Sequence, residues 1–339
     1  MSKPITLGLM LGTAGLFALS PLHADERIEV IASFSILADM TANVGGEHVN
    51  VTALVGPDSD AHVFSPSPTQ ARAIAEADLV VFNGLQFEGW MERLIESSDY
   101  AGPLVIASEG TDRLAYHGHD HEHAHGHEAH EHDQDHGDEH DDHDHGEFDP
   151  HAWQDMAMAQ VYVLNIRDGL IEADPDNADA YRDNADRYIN EIENTEAQIR
   201  ELLTQIPPAS TVITGHDSFG YFSNAYAIRF LSPVGLTTEA EPSAANMAHL
   251  IDVVREQNVG ALFHENMTSP AIINQLAEET GLEIAGTLYA DALAAQGEAS
   301  TYLGMMHHNA EVLHAALADP GHLHDNDHEH EHDDHGHSH

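Results

Sequence analysis

Residues 174–208, DPDNADAYRDNADRYINEIENTEAQIRELLTQIPP, decide how the rest of the chain is read. Tyr181, Ala185, Tyr188, Ile192, Ile199, Leu202 and Ile206 recur at spacings of three, four or seven, which places them on one face of a helix. Asp174-Pro175-Asp176 marks the start and Pro207-Pro208 ends the run. The pattern predicts a helix over 176–206, a rod of roughly 45 Å at about 1.5 Å per residue. Such a rod is long enough to cross two domains, although a surface helix of one domain has the same pattern.

Outward from the rod, short apolar runs alternate with helical periodicity on both sides. Before it, strands are predicted at 28–32, 51–55, 79–82 and 104–106, with helices over 35–44 and 69–77. A further helix is expected over 155–172. After it, strands fall at 211–214, 260–263 and 282–285, and helices at 247–257, 269–280 and 302–317. Pro270 stands in a first-turn position of the second of these helices. Alternation of this kind predicts α/β domains with mainly parallel sheets. The expected organisation is a first α/β lobe over 25–155, a helical segment over 156–207 and a second α/β lobe over 208–320.

Composition narrows the function. Asp and Glu number 59 against 11 Lys and Arg, for a formal net charge of −48. Phosphate backbones are bound by basic residues, so nucleic acid is excluded as a partner and cations are favoured. There is no cysteine, hence no disulfide framework, no thiolate metal site and no cysteine to carry a lipid. Lys3 is the sole lysine. Without it the chain is lysine-free and acid-rich, a surface suited to staying solvated in high salt. Lys3 also opens a short apolar run, 5–19, that ends in Pro21-Leu22-His23-Ala24. We expect residues 1–24 to be a signal peptide cleaved after Ala24, and the mature protein to be periplasmic.

Two tracts differ from everything else. Residues 117–147 hold 12 histidines and 12 acidic residues with almost nothing apolar, and 322–339 hold eight more histidines. Neither tract has the apolar surface to order itself, so both are expected to be disordered, and the internal tract 117–147 is expected to bind metal weakly at several points.

Nine histidines remain once the tracts and His23 are set aside. His62 lies in Gly56-Pro57-Asp58-Ser59-Asp60-Ala61-His62, His151 in Asp149-Pro150-His151-Ala152-Trp153, and His216 in Thr214-Gly215-His216-Asp217-Ser218-Phe219. All three are expected in loops, where open α/β sheets gather their ligands at the carboxyl ends of strands. Three neutral imidazoles suit zinc, with a fourth oxygen ligand completing a tetrahedron. His216 can alternatively cap a helix or pair with Asp217. His264, beside Glu265, is a weaker candidate. His48, His249, His307, His308 and His314 fit solvated positions.

These motifs, with Pro66-Ser67-Pro68, Asn83-Gly84-Leu85, Tyr221-Phe222, Pro242-Ser243-Ala244 and Tyr289-Ala290-Asp291-Ala292-Leu293, resemble the metal-binding solute receptors of ABC transporters, in particular the zinc-uptake branch. The resemblance spans nearly the whole chain after residue 24. It implies two α/β parallel-sheet lobes joined by one long linker helix, with the metal site between the lobes. Carried over residue by residue, it implies His62, His151, His216 and Asp291 as metal ligands. At the position of His216 the zinc branch has histidine and manganese-type relatives have glutamate. The resemblance further implies Zn2+ as cargo, an ABC permease with its ATPase as partner, and a monomer; a periplasmic zinc chaperone is admitted as a further partner. Some relatives carry a disulfide in the second lobe, and this chain has none. Two other classes compete: a zinc hydrolase, against which stand Asp291 in the fourth position and the absence of an HExxH motif, and a metal buffer or adhesin without a transporter.

Overall fold

Parallel strands buried on both faces need near-continuous runs of β-branched and apolar residues, and the chain supplies them. The computed structural model describes residues 27–116, 148–257 and 259–318; residues 1–24, expected to be a signal peptide, the histidine-rich segment 117–147 and the tail 321–339 lie outside the described residues. In the first lobe β1 (Ile28–Phe34), β2 (Val49–Val55), β3 (Leu79–Phe82) and β4 (Leu104–Ile106) form one parallel sheet in the order β2-β1-β3-β4. The connecting helices are α1 (Ser35–Gly45), α2 (Pro68–Ala75) and α3 (Met91–Ser97). The Pro66-Ser67-Pro68 motif is a helix start: Ser67 and Gln70 form a capping box, and Pro68 occupies the first turn.

The second lobe repeats the plan. Here β5 (Thr211–Ile213), β6 (Arg229–Leu231), β7 (Val259–Glu265) and β8 (Ile284–Leu288) are parallel in the order β6-β5-β7-β8. Its helices are α6 (Gly220–Tyr226), α7 (Ala244–Glu256), α8 (Ala271–Thr280) and α9 (Tyr302–Leu317).

Between the lobes run α4 (Met156–Ala173), capped by the Asp155 carboxylate on the Ala157 N–H, and α5 (Ala178–Leu203). α4 packs on β3 and β4, while α5 packs on α4, on α1 of the first lobe and on α9 of the second. The rod is therefore shared by both lobes. It starts two residues later than the sequence pattern predicts, because Pro175–Asn177 form a 3-10 turn whose geometry Asp174 fixes by accepting from Tyr181 Oη and Asn177 Nδ2. At 26 residues it is about 39 Å long. Tyr181, Ala185, Tyr188, Ile192 and Ile199 are buried along it, as the spacing requires.

Other boundaries also moved. The strand predicted at 282–285 is Ile284–Leu288, and Pro270 is the residue before α8 rather than within it. β6, α3 and α6 have no counterpart in the sequence reading; with three or seven residues each, they are too short to show a period. One large apolar cluster runs through both lobes by way of α1, α4, α5 and α9, and a smaller one lies under α7 and α8. Among the described residues no helix is long and apolar enough to cross a membrane.

Candidate metal centre

Each of the four candidate residues is delivered by a different loop. His62 follows β2, and its backbone N–H donates to Asp60 Oδ1 at 2.9 Å. His216 follows β5, where a lone bridge to Val234 fixes its backbone. Asp291 follows β8. His151 follows a single antiparallel bridge between Ala115 and Phe148, not a full strand as the sequence pattern suggests, and it opens a 3-10 turn, Ala152–Gln154. That turn is tied to the other lobe: Trp153 Nε1 and Gln154 Nε2 both donate to the Ala290 carbonyl, at 2.9 and 2.8 Å.

The four side chains converge. Their ligand atoms lie within 4.8 Å of one another and all four residues are buried. The imidazole centroids form a nearly equilateral triangle, with sides of 5.6 Å (His62–His151), 5.7 Å (His62–His216) and 5.5 Å (His151–His216). Asp291 stands against all three rings: Oδ2 is 2.9 Å from His216 Nε2 and 3.2 Å from His62 Nε2, and Oδ1 is 3.6 Å from His151 Nε2. Only the His216 contact has hydrogen-bond geometry. His62 Nε2, His151 Nε2 and Asp291 Oδ1 are buried without a hydrogen-bond partner. Buried polar atoms are nearly always satisfied, and three such atoms turned toward one point fit a cation accepting their lone pairs. Three nitrogens and one carboxylate are a donor set of the number and kind that suits a four-coordinate ion such as zinc.

Carboxylates behind the rings fix their orientation. Asp149 Oδ1 accepts from the His151 backbone N–H at 2.9 Å and faces His151 Nδ1 at 2.7 Å. Glu265, at the end of β7, does the same for His216. Its Oε1 accepts from the Gly215 and His216 backbone N–H groups at 3.0 and 3.2 Å, and its Oε2 lies 2.5 Å from His216 Nδ1. An N–H held at Nδ1 leaves Nε2 free to ligate. The backbone makes room for these acids: a methyl group at Gly220 would collide with Asp149 Oδ2, and one at Gly215 would crowd Glu265.

Charge follows geometry. Burial opposes a proton on His216, but the charges of Glu265 and Asp291 and their hydrogen bonds outweigh it and raise its pKa well above the ordinary value. Burial would raise Asp291, yet the neighbouring imidazoles hold it well below the usual carboxylate range. His62 is lowered, chiefly by burial, against the pull of Asp291.

The remaining histidines have structural partners. His264 lies within β7 rather than after a strand, and its Nε2 meets Asn274 Oδ1 at 3.0 Å. His308 Nε2 meets the Thr287 carbonyl, His314 Nε2 meets Gln205 Oε1, and His48 packs edge-on against Tyr181. His307 sits among Glu298 and Glu311 at the surface. The ring nitrogens of His216 go to Glu265 and Asp291 rather than to the adjacent Asp217. Sequence reasoning did not assign the roles of Asp149 and Glu265. The Asp-x-His spacing offered a signal for Asp149, and nothing in the local sequence offered one for Glu265.

Two parallel-sheet lobes sharing one helix, with a buried histidine and carboxylate cluster between them, define a metal-binding solute receptor. The chain belongs to the ZnuA family, described as zinc-uptake complex component A, periplasmic, which matches residues 30–316. The manganese-binding lipoprotein MntA of Halalkalibacterium halodurans is 30% identical over 295 residues, covering 86% of this chain and 89% of MntA. The iron-binding protein YfeA of Yersinia pestis is 26% identical over 313 residues, covering 91% of this chain and 92% of YfeA. Among solved structures, the periplasmic zinc binding protein TroA from Treponema pallidum superposes with a TM-score of 0.75 at 25% identity, covering 86% of this chain and 100% of TroA. The protein is thus a metal-binding, extracytoplasmic receptor that delivers metal to an ABC importer, and not an enzyme.

Proposed function

We propose that the cargo is zinc, held by His62, His151, His216 and Asp291, and that the protein serves zinc uptake. The observation that carries this is the donor set: three imidazole nitrogens and a single carboxylate converge within 4.8 Å. Manganese favours more oxygen, whereas imidazole suits zinc and, less selectively, iron. The manganese-binding and iron-binding names of relatives support a second reading, in which the same pocket carries one of those ions.

Binding order alone does not separate the readings, because most nitrogen and oxygen sites prefer zinc to manganese in any case. The discriminating experiment deletes the gene and grows the strain under metal limitation. Zinc uptake predicts rescue by added zinc and zinc in the protein recovered from cells. Rescue by manganese or iron alone, with that metal in the recovered protein, would replace this reading with the second.

On this reading residues 1–24 are the export signal, the mature protein works in the periplasm as a monomer, and its partner is a permease with its ATPase. The segment 117–147 collects zinc weakly and passes it inward. Its attachment supports the role: the flanking residues Ala115 and Phe148 pair with each other, three residues before His151. Deleting 117–147 should remove weak sites in a calorimetric zinc titration and leave one tight site intact.

A further inference from the structure

The loop that carries His62 is fastened to the opposite lobe at two points. Asp58 adopts a left-handed backbone, φ 51°, which is uncommon outside glycine and tolerated by Asp and Asn. In that conformation its N–H donates to the Leu293 carbonyl at 2.9 Å, its Oδ1 accepts from Asn266 Nδ2 at 2.9 Å, and its Oδ2 accepts from the Ala295 N–H at 3.0 Å. Leu293 and Ala295 follow Asp291 in the same loop, and Asn266 follows Glu265. Two residues on, Asp60 uses Oδ1 for the His62 N–H at 2.9 Å and Oδ2 for the Thr238 hydroxyl at 2.6 Å. All of Asn266, Thr238, Leu293 and Ala295 belong to the second lobe.

We propose that residues 57–62 form a clasp from the first lobe to the second over the buried site, and that Asp58 and Asp60 are positioning residues that set how long the metal stays bound. The proposal rests on reading His62 and Asp291 as ligands. An outlying backbone conformation persists only where its surroundings over-determine it, and here the surroundings are the two loops that bring Asp291 and Glu265. The rings of His151 and His216 are each held by a buried carboxylate of their own lobe. His62 is held through its backbone by Asp60, which spans to the other side. With α5 seated on both lobes a wide hinge is resisted, so the metal leaves by movement of one loop. The clasped loop, which bears both a ligand and the cross-lobe bonds, is the one whose release opens the site. Asp58 is exposed, so the fastening lies on the outer rim, where a docking transporter can reach it.

Two variants on opposite lobes test this without touching a ligand. Asp58→Gly keeps the left-handed backbone and removes the carboxylate. Thr238→Val removes the hydroxyl and leaves Asp60 bonded to His62. Zinc-loaded full-length protein is mixed with excess chelator in a stopped-flow instrument. Each variant should release zinc about fivefold to tenfold faster, as expected for one or two lost hydrogen bonds to a carboxylate, and the double variant by about the product. Association rates should stay at wild-type values and the melting temperature of the metal-free protein should fall by no more than about 5 °C, the cost of the lost bonds alone, a split that general loosening of the fold would not give. In metal-free protein, amide exchange at Ala295 should accelerate in Asp58→Gly. Unchanged release in both single variants would overturn the clasp, and so would faster release accompanied by a melting temperature lowered well beyond that cost. If the wild-type chain held zinc only weakly, the metal reading would fail instead, and exchange at Ala295 would still decide whether the clasp exists.

Discussion

Glu265 Oε2 stands 2.5 Å from His216 Nδ1, and neither group is exposed to solvent. The contact fixes which imidazole nitrogen carries hydrogen, and so which one faces Asp291. Glu265→Gln would preserve the volume but place an amide N–H donor against Nδ1, or leave it an acceptor with weaker pull. In the first case the imidazole would favour the tautomer with hydrogen on Nε2, where the metal must bind; in the second its hold on the Nδ1 hydrogen would be weaker. Zinc affinity should fall by about 10-fold to 100-fold, measured by competition with a chromophoric chelator. Affinity equal to wild type would show that the ring needs no such orienting group.

Metal loading should expel a proton. The charges and hydrogen bonds of Glu265 and Asp291 outweigh burial and raise the His216 pKa well above the ordinary histidine value, which favours a proton on that ring in the metal-free protein. His62, lowered by burial, is already neutral there. Zinc must displace the His216 proton, so binding should release about one proton from that residue at pH 7. Affinity should keep rising with pH well past about 6.5, the midpoint at which an ordinary histidine titrates. Calorimetry in two buffers of different ionisation enthalpy reads this directly. An apparent enthalpy identical in both buffers would contradict it.

Glu88 predicts a separate pH effect on stability. Its carboxylate is buried, accepts from Ser33 Oγ and from the Asn83 and Gly84 N–H groups, and has a pKa pushed up to about 7 from 4.5, mainly by burial. The folded-state pKa is raised, so the contribution is fully present below the unfolded value and is lost as pH rises through the folded one. Stability of the metal-free protein should therefore decline from pH 4.5 toward about 7 on account of this group, at up to about 1.4 kcal/mol per pH unit. Glu88→Gln mimics the protonated acid and should remove that slope. Urea melts at several pH values decide; parallel wild-type and variant profiles would show that Glu88 does not titrate in this window.

Salt should stabilise the fold. A formal charge of −48 repels itself most strongly in the compact state. Raising ionic strength from about 0.1 M to about 1 M shortens the screening length from about 10 Å to about 3 Å. The melting temperature should climb over that range. A fall would count against the acid-rich surface as an adaptation to salt.

Legibility in the sequence was uneven for physical reasons. His62, His151, His216 and Asp291 stand in short, distinctive loop motifs, and the structure brings the four together. Long periodic segments such as α5 and α9 were readable because a helix face repeats many times. The three-residue β6 exists by pairing with β5, a contact no local pattern encodes. Glu265 was passed over because its partner lies 49 residues earlier in the chain. The start of α5 was misplaced because Asp174 bonds forward to Asn177 and Tyr181, tightening the entry into a 3-10 turn.

The shared helix has a consequence for how the molecule comes apart. Because α5 lends buried residues to the cluster that runs through both lobes, neither lobe owns a complete core. Cutting the chain beside the helix would expose that face on one fragment or the other. The two lobes should therefore unfold as one cooperative unit rather than as independent domains. The layer of α7 and α8 sits on its own small cluster of Met247, Leu250, Val253, Ile273, Leu276 and their strand partners. It is the part free to open first, leaving the loops of His62, His151, His216 and Asp291 in place.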